Sequence, residues 1–241
     1  MPNGWKDIWC TKQTVCSDNG TDEFARFCEL KKANGFDVAV GNEKLYFELF
    51  YQEWMSFFHK IAELLGEGIG DIKSVYEAGC GSGVNLYMFQ NRLQCKTGGC
   101  DYSPAMAESA RIVTGCEDFR CCSADEISIE PQYDIVMAES VFQYFESHVY
   151  AEEVLRKMIK KSRKITYVGE IHNAVYEQEL MECRRKSIDN YETKYEGLSK
   201  LFFYKEWFHR IASDYGRKVV YMDVKNPEYI NAKYLFNCFI F

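Results

Sequence analysis

Val75-Tyr76-Glu77-Ala78-Gly79-Cys80-Gly81-Ser82-Gly83 is the stretch that decides the fold of this chain. An apolar run hands over to an acid and then to three glycines at alternate positions, ahead of a helix expected over roughly residues 82–92. Glycine permits positive φ and lets a ligand approach the backbone with no Cβ in the way. The helix that follows offers free N–H groups at its start. A strand, turn and helix joined in this manner hold a small polar or anionic ligand. A dinucleotide fingerprint asks for glycine or alanine three residues after its second glycine, and here Val84 stands at that position.

The segments that follow repeat the pattern of strand, acid and helix. Gly98-Gly99-Cys100-Asp101 ends a second strand about twenty residues on, where a carboxylate reaches a ribose edge. Ser103 is a candidate N-cap and Pro104 a first helical residue. A third strand, residues 119–123, delivers Ala124-Asp125. A fourth, residues 133–138, opens into Glu139-Ser140-Val141-Phe142-Gln143-Tyr144. Asp101 also suits a helix start and Asp125 a turn cap, since short polar side chains favour both places. Glu139 ends an almost wholly apolar strand, at the edge where open α/β sheets bind ligands.

In this order the segments resemble the motifs of the class I S-adenosylmethionine (SAM)-dependent methyltransferases, most specifically over residues 73–146 and in topology over 40–241. The resemblance implies an α/β fold: a doubly wound, mostly parallel, Rossmann-like seven-stranded sheet. It would end in an antiparallel hairpin of residues 218–222 and 236–241 and carry a helical N-terminal cover. It implies SAM as cofactor, with S-adenosylhomocysteine as product. Glu77, Gly79 and Gly81 would lie under the methionyl part; Asp101, with Tyr102 and Ser103, would face the ribose; Ala124 and Asp125 the adenine; and Glu139 the cofactor or substrate pocket. The string Val141-Phe142-Gln143-Tyr144-Phe145, with Phe202-Phe203-Tyr204-Lys205-Glu206-Trp207-Phe208 downstream, is similar to small bacterial methyltransferases linked to surface-carbohydrate biosynthesis. That narrower likeness implies an acceptor oxygen on a sugar or an anionic sugar substituent.

Composition sets bounds on partners. The chain has 241 residues, 47% of them hydrophobic, and a formal net charge of −7, which suits a sizeable core and disfavours a broad basic face for nucleic acid. There is no apolar run of 18 residues and no signal-peptide core, so a cytoplasmic protein without membrane attachment is expected. Its 11 cysteines are scattered and include no CxxC pair, which argues for reduced thiols and against a zinc site. The expected organisation is a single domain over 1–241: a helical cover (1–70), a SAM-binding core (71–170), a substrate lid (171–203) and a closing helix and hairpin (204–241).

Residues outside the glycine core choose the acceptor. Residues 22–33 read as a helix and Asn42–Gly66 as a long amphipathic one, with the turn Asn34-Gly35-Phe36-Asp37 between them and Tyr46 and Tyr51 as candidate pocket aromatics. In the lid, Arg184 and Arg185 form a cluster able to grip a carboxylate or phosphate, unless they sit on a solvated face balanced by Glu177, Glu179 and Glu182. A fifth strand, residues 164–170, leads to His172. For an acceptor that must lose a proton, His172 is the first candidate base, with Tyr144 as hydrogen-bond donor. A small-molecule acceptor is expected. The alternatives are a small amine or protein side chain as acceptor, an NAD-dependent oxidoreductase, and a noncatalytic SAM-binding regulator. Oligomeric state is open.

Overall fold

The computed structural model describes residues 4–15, 22–35, 41–66 and 68–241. Phe36 and Asp37 of the expected turn lie outside the described residues. Seven strands, β1 (Ser74–Ala78), β2 (Lys96–Asp101), β3 (Phe119–Cys121), β4 (Tyr133–Glu139), β5 (Ser162–His172), β6 (Val219–Asp223) and β7 (Leu235–Ile240), form one sheet in the order β3-β2-β1-β4-β5-β7-β6. The first five run parallel, and β7 inserts antiparallel between β5 and β6. Strand order reverses between β1 and β4, which makes the carboxyl ends of these two strands the switch point where open α/β sheets bind ligands.

Around the sheet lie α1 (Gly4–Cys10), α2 (Glu23–Asn34), α3 (Glu43–Leu65), α4 (Val84–Leu93), α5 (Pro104–Thr114), α6 (His148–Lys161), α7 (Glu177–Ser187), α8 (Tyr191–Lys194) and α9 (Lys205–Ser213). Successive strand residues face opposite sides, so Val75, Ile135 and Ile165 pack under α3 and α4 with Trp54, Phe57 and Phe89. Tyr76, Val136 and Val168 pack on the other side with Leu155 of α6 and Phe208 of α9. The ends of α3 follow from their caps. Asn42 Oδ1 accepts the Leu45 N–H at 3.1 Å, and Gly66 terminates the helix in the left-handed region at φ 62, as C-terminal glycines do.

Two elements differ from the sequence expectation. α1 is not evident from pattern, being a seven-residue helix too short to show a period. The run 201–215 reads as one helix by sequence, but its first residues, 201–204, are instead tied to the turn after β4 and to β5: Leu201 N donates to the Gln143 carbonyl at 2.9 Å and Phe203 N to that of His172 at 2.8 Å. Among the described residues no helix is long and apolar enough to cross a membrane.

The last of the three alternate glycines sets how the helices seat on the sheet. Gly83 has φ 82, and a Cβ there would stand 2.8 Å from Ala110 Cα in α5. Gly83→Ala is therefore expected to destabilise the fold by about 2 kcal/mol, from left-handed strain plus the displaced helix. Urea unfolding of the two proteins checks this; a change within about 0.5 kcal/mol, the scatter of an ordinary surface substitution, would mean that α4 and α5 do not approach so closely.

Candidate active site

The turn after β1 wraps the mouth of a cavity of about 400 Å³ at the switch point. Gly79 and Gly81 adopt φ 75 and φ 51, and a Cβ on Gly79 would strike the Val141 side chain at 2.6 Å. Glu77 is 1% exposed. Its Oε1 accepts from Asn85 Nδ2 at 2.6 Å, while Oε2 and Asn85 Oδ1 are buried without a partner. Burial holds the Glu77 carboxyl well above the usual carboxylate range. Two buried acceptors left without donors at the mouth of a cavity are available to a polar ligand.

Asp101 ends β2 and reaches back across the mouth. Its Oδ2 accepts the Gly81 N–H at 3.0 Å and its Oδ1 the Ser103 N–H at 2.9 Å. Burial raises its pKa, and these two backbone donors hold the rise in check. Ser103 precedes Pro104 as expected but makes no side-chain cap, and it alone of the expected cofactor residues does not line the cavity: Glu77, Gly79, Gly81, Asp101, Tyr102, Ala124, Asp125 and Glu139 all do. Asp125 Oδ1 accepts from the Tyr150 hydroxyl at 2.7 Å, beside a capping box between Ser123 and Glu126.

The far end of the cavity is acidic and built on two irregular strand ends. Glu139 faces Gly169 in the β4–β5 register, and a Cβ at Gly169 would collide with its carboxylate, so only glycine leaves the acid its place. The β5–β7 pairing slips between Val168 and Ile171, where a bulge re-aims a side chain. Glu170 sits in that bulge at φ 51, with its N–H donated to Asn237 Oδ1 at 2.9 Å in place of a ladder bond. Glu170 is 5% exposed, and its Oε1 lacks a partner. Burial and the neighbouring Glu170 charge push the Glu139 carboxyl up to about 8, against the pull of Lys31 and a hydrogen bond from Tyr167.

Cover comes from the N-terminal helices. Lys6 and Trp9 of α1 and Lys31 and Asn34 of α2 line the cavity. Asn34 Oδ1 accepts the Ser82 N–H at 2.7 Å, and Ser82 Oγ donates to the Leu30 carbonyl at 2.9 Å, so α2 is clasped onto the glycine turn. Among the described residues, none from 171–203 lines the cavity. His172 is buried, its ring centroid 5.1 Å from that of Phe202, and burial together with Arg184 drops its pKa to about 3. Arg184 is buried between the rings of Tyr191 and Tyr195 at 5.6 and 5.2 Å. Arg185 is exposed and paired with Glu192 at 2.7 Å. The structure thus does not bring His172, Arg184 or Arg185 to the cavity. Tyr144 does line it, its ring packed edge-on to Trp5 and Trp9 at 4.9 and 5.6 Å. Tyr51 hydrogen-bonds Glu23 and Arg92, whereas Tyr46 lines the cavity.

Sequence reasoning passed over Glu170, Lys31, Asn34 and Asn85 as site residues. Glu170 carried a signal, an acid after Gly169 at the active end of an apolar strand, parallel to Glu139 on β4. Lys31 and Asn34 carried none, because only tertiary packing turns α2 toward the turn. Among the described residues no group of three His, Cys, Asp or Glu is placed to hold a metal ion, and the described cysteines are free thiols.

Asp101→Ala is expected to weaken S-adenosylhomocysteine binding by about 1–3 kcal/mol through loss of a charged hydrogen-bond acceptor; unchanged affinity by calorimetry would remove Asp101 from the cofactor site. A second expectation concerns pH. With its folded-state value at about 8 against an ordinary value of 4.5, Glu139 keeps a proton that the unfolded chain has released, so stability falls as pH rises between those values. Glu139→Gln removes that contribution. Its melting temperature should fall by a few degrees less than that of the parent between pH 5 and pH 8, about 2–4 °C for each kcal/mol; parallel curves would show that Glu139 ionises normally.

Residues 75–164 match a family model described as a methyltransferase domain. No curated protein matches the chain by sequence. Among solved structures, magnesium protoporphyrin IX methyltransferase (ChlM) from Synechocystis PCC 6803 with bound SAH is similar at TM-score 0.61 and 13% identity, over 91% of this chain and 98% of that one. CalS10, an amino pentose methyltransferase from Micromonospora echinaspora with SAM bound, reaches 0.57 at 10% identity, over 78% and 90%. The plantazolicin methyltransferase BpumL in complex with SAH reaches 0.56 at 12%, over 90% and 96%. Identities this low speak to the fold, which the chain shares with these methyltransferases, and the family model speaks to residues 75–164, the segment that the glycine turn opens, which match a methyltransferase domain.

Proposed function

We propose that the protein methylates a small, non-anionic acceptor held at the Glu139–Glu170 end of the cavity, with Glu77, Gly79, Gly81, Asp101, Tyr102, Ala124 and Asp125 holding SAM. The observation that carries this reading is the covered cavity. Lys6, Trp9, Lys31 and Asn34 close over it from α1 and α2, which suits a small molecule rather than a side chain on a folded protein. SAM supplies a methyl group on a sulfonium whose departure is already favoured by its positive charge. The chain's own task is then to position the acceptor and exclude water.

Two considerations shape the choice of acceptor. Arg184 and Arg185, the expected grip for a carboxylate or phosphate, stand away from the cavity, whose lining carries Glu77, Glu139 and Glu170 beside Lys6 and Lys31. These carboxyl groups offer an anion no opposite charge and repel it wherever they ionise. Tyr144 is suited to orient the acceptor, since burial raises its pKa and keeps the hydroxyl neutral as a donor. His172, buried and held neutral, is assigned no step.

Calorimetric titration with SAM, S-adenosylhomocysteine and NAD, followed by a turnover screen of amines, sugar alcohols and carboxylic acids, tests the reading. Binding of the first two cofactors without NAD, and turnover confined to uncharged or amine acceptors, is the expected outcome. NAD binding without SAM would revive the oxidoreductase alternative, cofactor binding with no turnover on any acceptor class would favour a SAM-binding regulator, and preferential turnover of carboxylates would restore the anionic acceptor.

A further inference from the structure

We propose that Glu139 and Glu170 form a subsite for an organic ammonium group, the amine of the acceptor, and that the pair takes the proton this nitrogen gives up. This deepens the function proposed above and rests on it. Two observations point to a ligand. Glu170 is 5% exposed with Oε1 unpartnered, and it lines the cavity; a buried carboxylate oxygen left without a donor costs free energy that a ligand donor would recover. The same two acids also line a second cavity of about 150 Å³, whose apolar wall includes Phe50, Trp54, Phe57 and Met222. The pair therefore stands on the wall that the two cavities share, a setting for a cationic head with an apolar body.

Acidic groups outnumber basic ones around the pair. Glu77 from β1, Tyr46 and Glu53 from α3, Tyr167 from β5 and Tyr229 from the β6–β7 connection face it together with Lys31 from α2. Lys31 Nζ already lies 3.9 Å from the centroid of the Phe50 ring, and burial keeps the proton on Glu139, so a bound cation that displaces this proton gains a charged partner. The rings of Tyr46 and Tyr229 add faces suited to cation–π contact. The proton step needs no other group: an N–H bond of the ammonium breaks as an O–H bond forms at Glu170 Oε1, and nitrogen keeps the electron pair with which it attacks.

The test uses three probes that differ only in head group, namely benzylamine, benzyl alcohol and benzoate, titrated by calorimetry into protein saturated with S-adenosylhomocysteine at pH 7. Benzylammonium is expected to bind about tenfold or more tighter than the alcohol, with benzoate weakest. Repeating the titration in buffers of different ionisation enthalpy should show about one proton released per ammonium bound, because the cation displaces the proton the acid pair holds. Glu170→Gln should lose about tenfold in benzylammonium affinity while keeping its S-adenosylhomocysteine affinity and its melting transition, which reports a folded variant. Head-group indifference, tighter binding of benzoate, or an unaffected Glu170→Gln in protein that binds S-adenosylhomocysteine would overturn this inference alone. Failure of the parent protein to bind S-adenosylhomocysteine would overturn the function proposal and this inference with it.

Discussion

Turns that leave neighbouring parallel strands share no hydrogen-bond ladder, and here one carboxylate supplies the missing tie. Asp101 accepts from Gly81 N in the turn after β1 and from Ser103 N in the turn after β2. The two loops that frame the cavity mouth are thereby fixed relative to each other. Each carboxylate oxygen has a further lone pair, so the structural duty does not exhaust the residue. From the other side, Asn34 and the Leu30 carbonyl hold Ser82. A flexible glycine turn, costly to order because glycine has most entropy to lose, is in this way ordered before any ligand arrives.

How much of this was legible depends on the range of the interaction. The strands, the α3 caps and the glycine turn were readable because each is dictated within a few residues: alternation or an apolar run for strands, Asn42 and Gly66 for helix ends, positive φ for the turn. The acids at strand ends were readable in part, since a parallel sheet presents the carboxyl ends of its strands together. Glu139 was recognised on that basis. Glu170 was not, because what turns it inward is a one-residue slip against β7, set by a strand more than sixty residues later in the chain. The basic cluster in 171–203 misled for the same reason. Arg184 spends its charge on the rings of Tyr191 and Tyr195, a packing choice that charge pattern alone does not reveal.

The cover was assigned by sequence to two places, the N-terminal helices and the segment after β5, and the structure gives the cavity lining to the first. Residues 171–203 are anchored at their base by Ala174 N to the Phe203 carbonyl at 3.0 Å, and they meet α1 through Trp5 Nε1, which donates to the Ser199 carbonyl at 2.7 Å. Their effect on the cavity is then indirect, through the position of α1 and so of Trp9.

Positive φ at non-glycine residues costs roughly 1–3 kcal/mol each and persists where surrounding structure enforces it. Ser140 at φ 57 and Glu170 at φ 51 are such residues, and both adjoin the acid pair, one following Glu139 and the other carrying the second carboxylate. Their backbones are held by Ser140 N donating to the Gly169 carbonyl at 3.1 Å and by Asn237. Two strained residues, a bulge and a glycine without which one acid would have no room all converge on a pair of carboxyl groups whose charges repel when both ionise. Packing alone would be better served by apolar side chains on regular strands. Strain, desolvation and repulsion gathered at one point of an otherwise regular sheet are accounted for together if that point meets a positively charged group during the catalytic cycle.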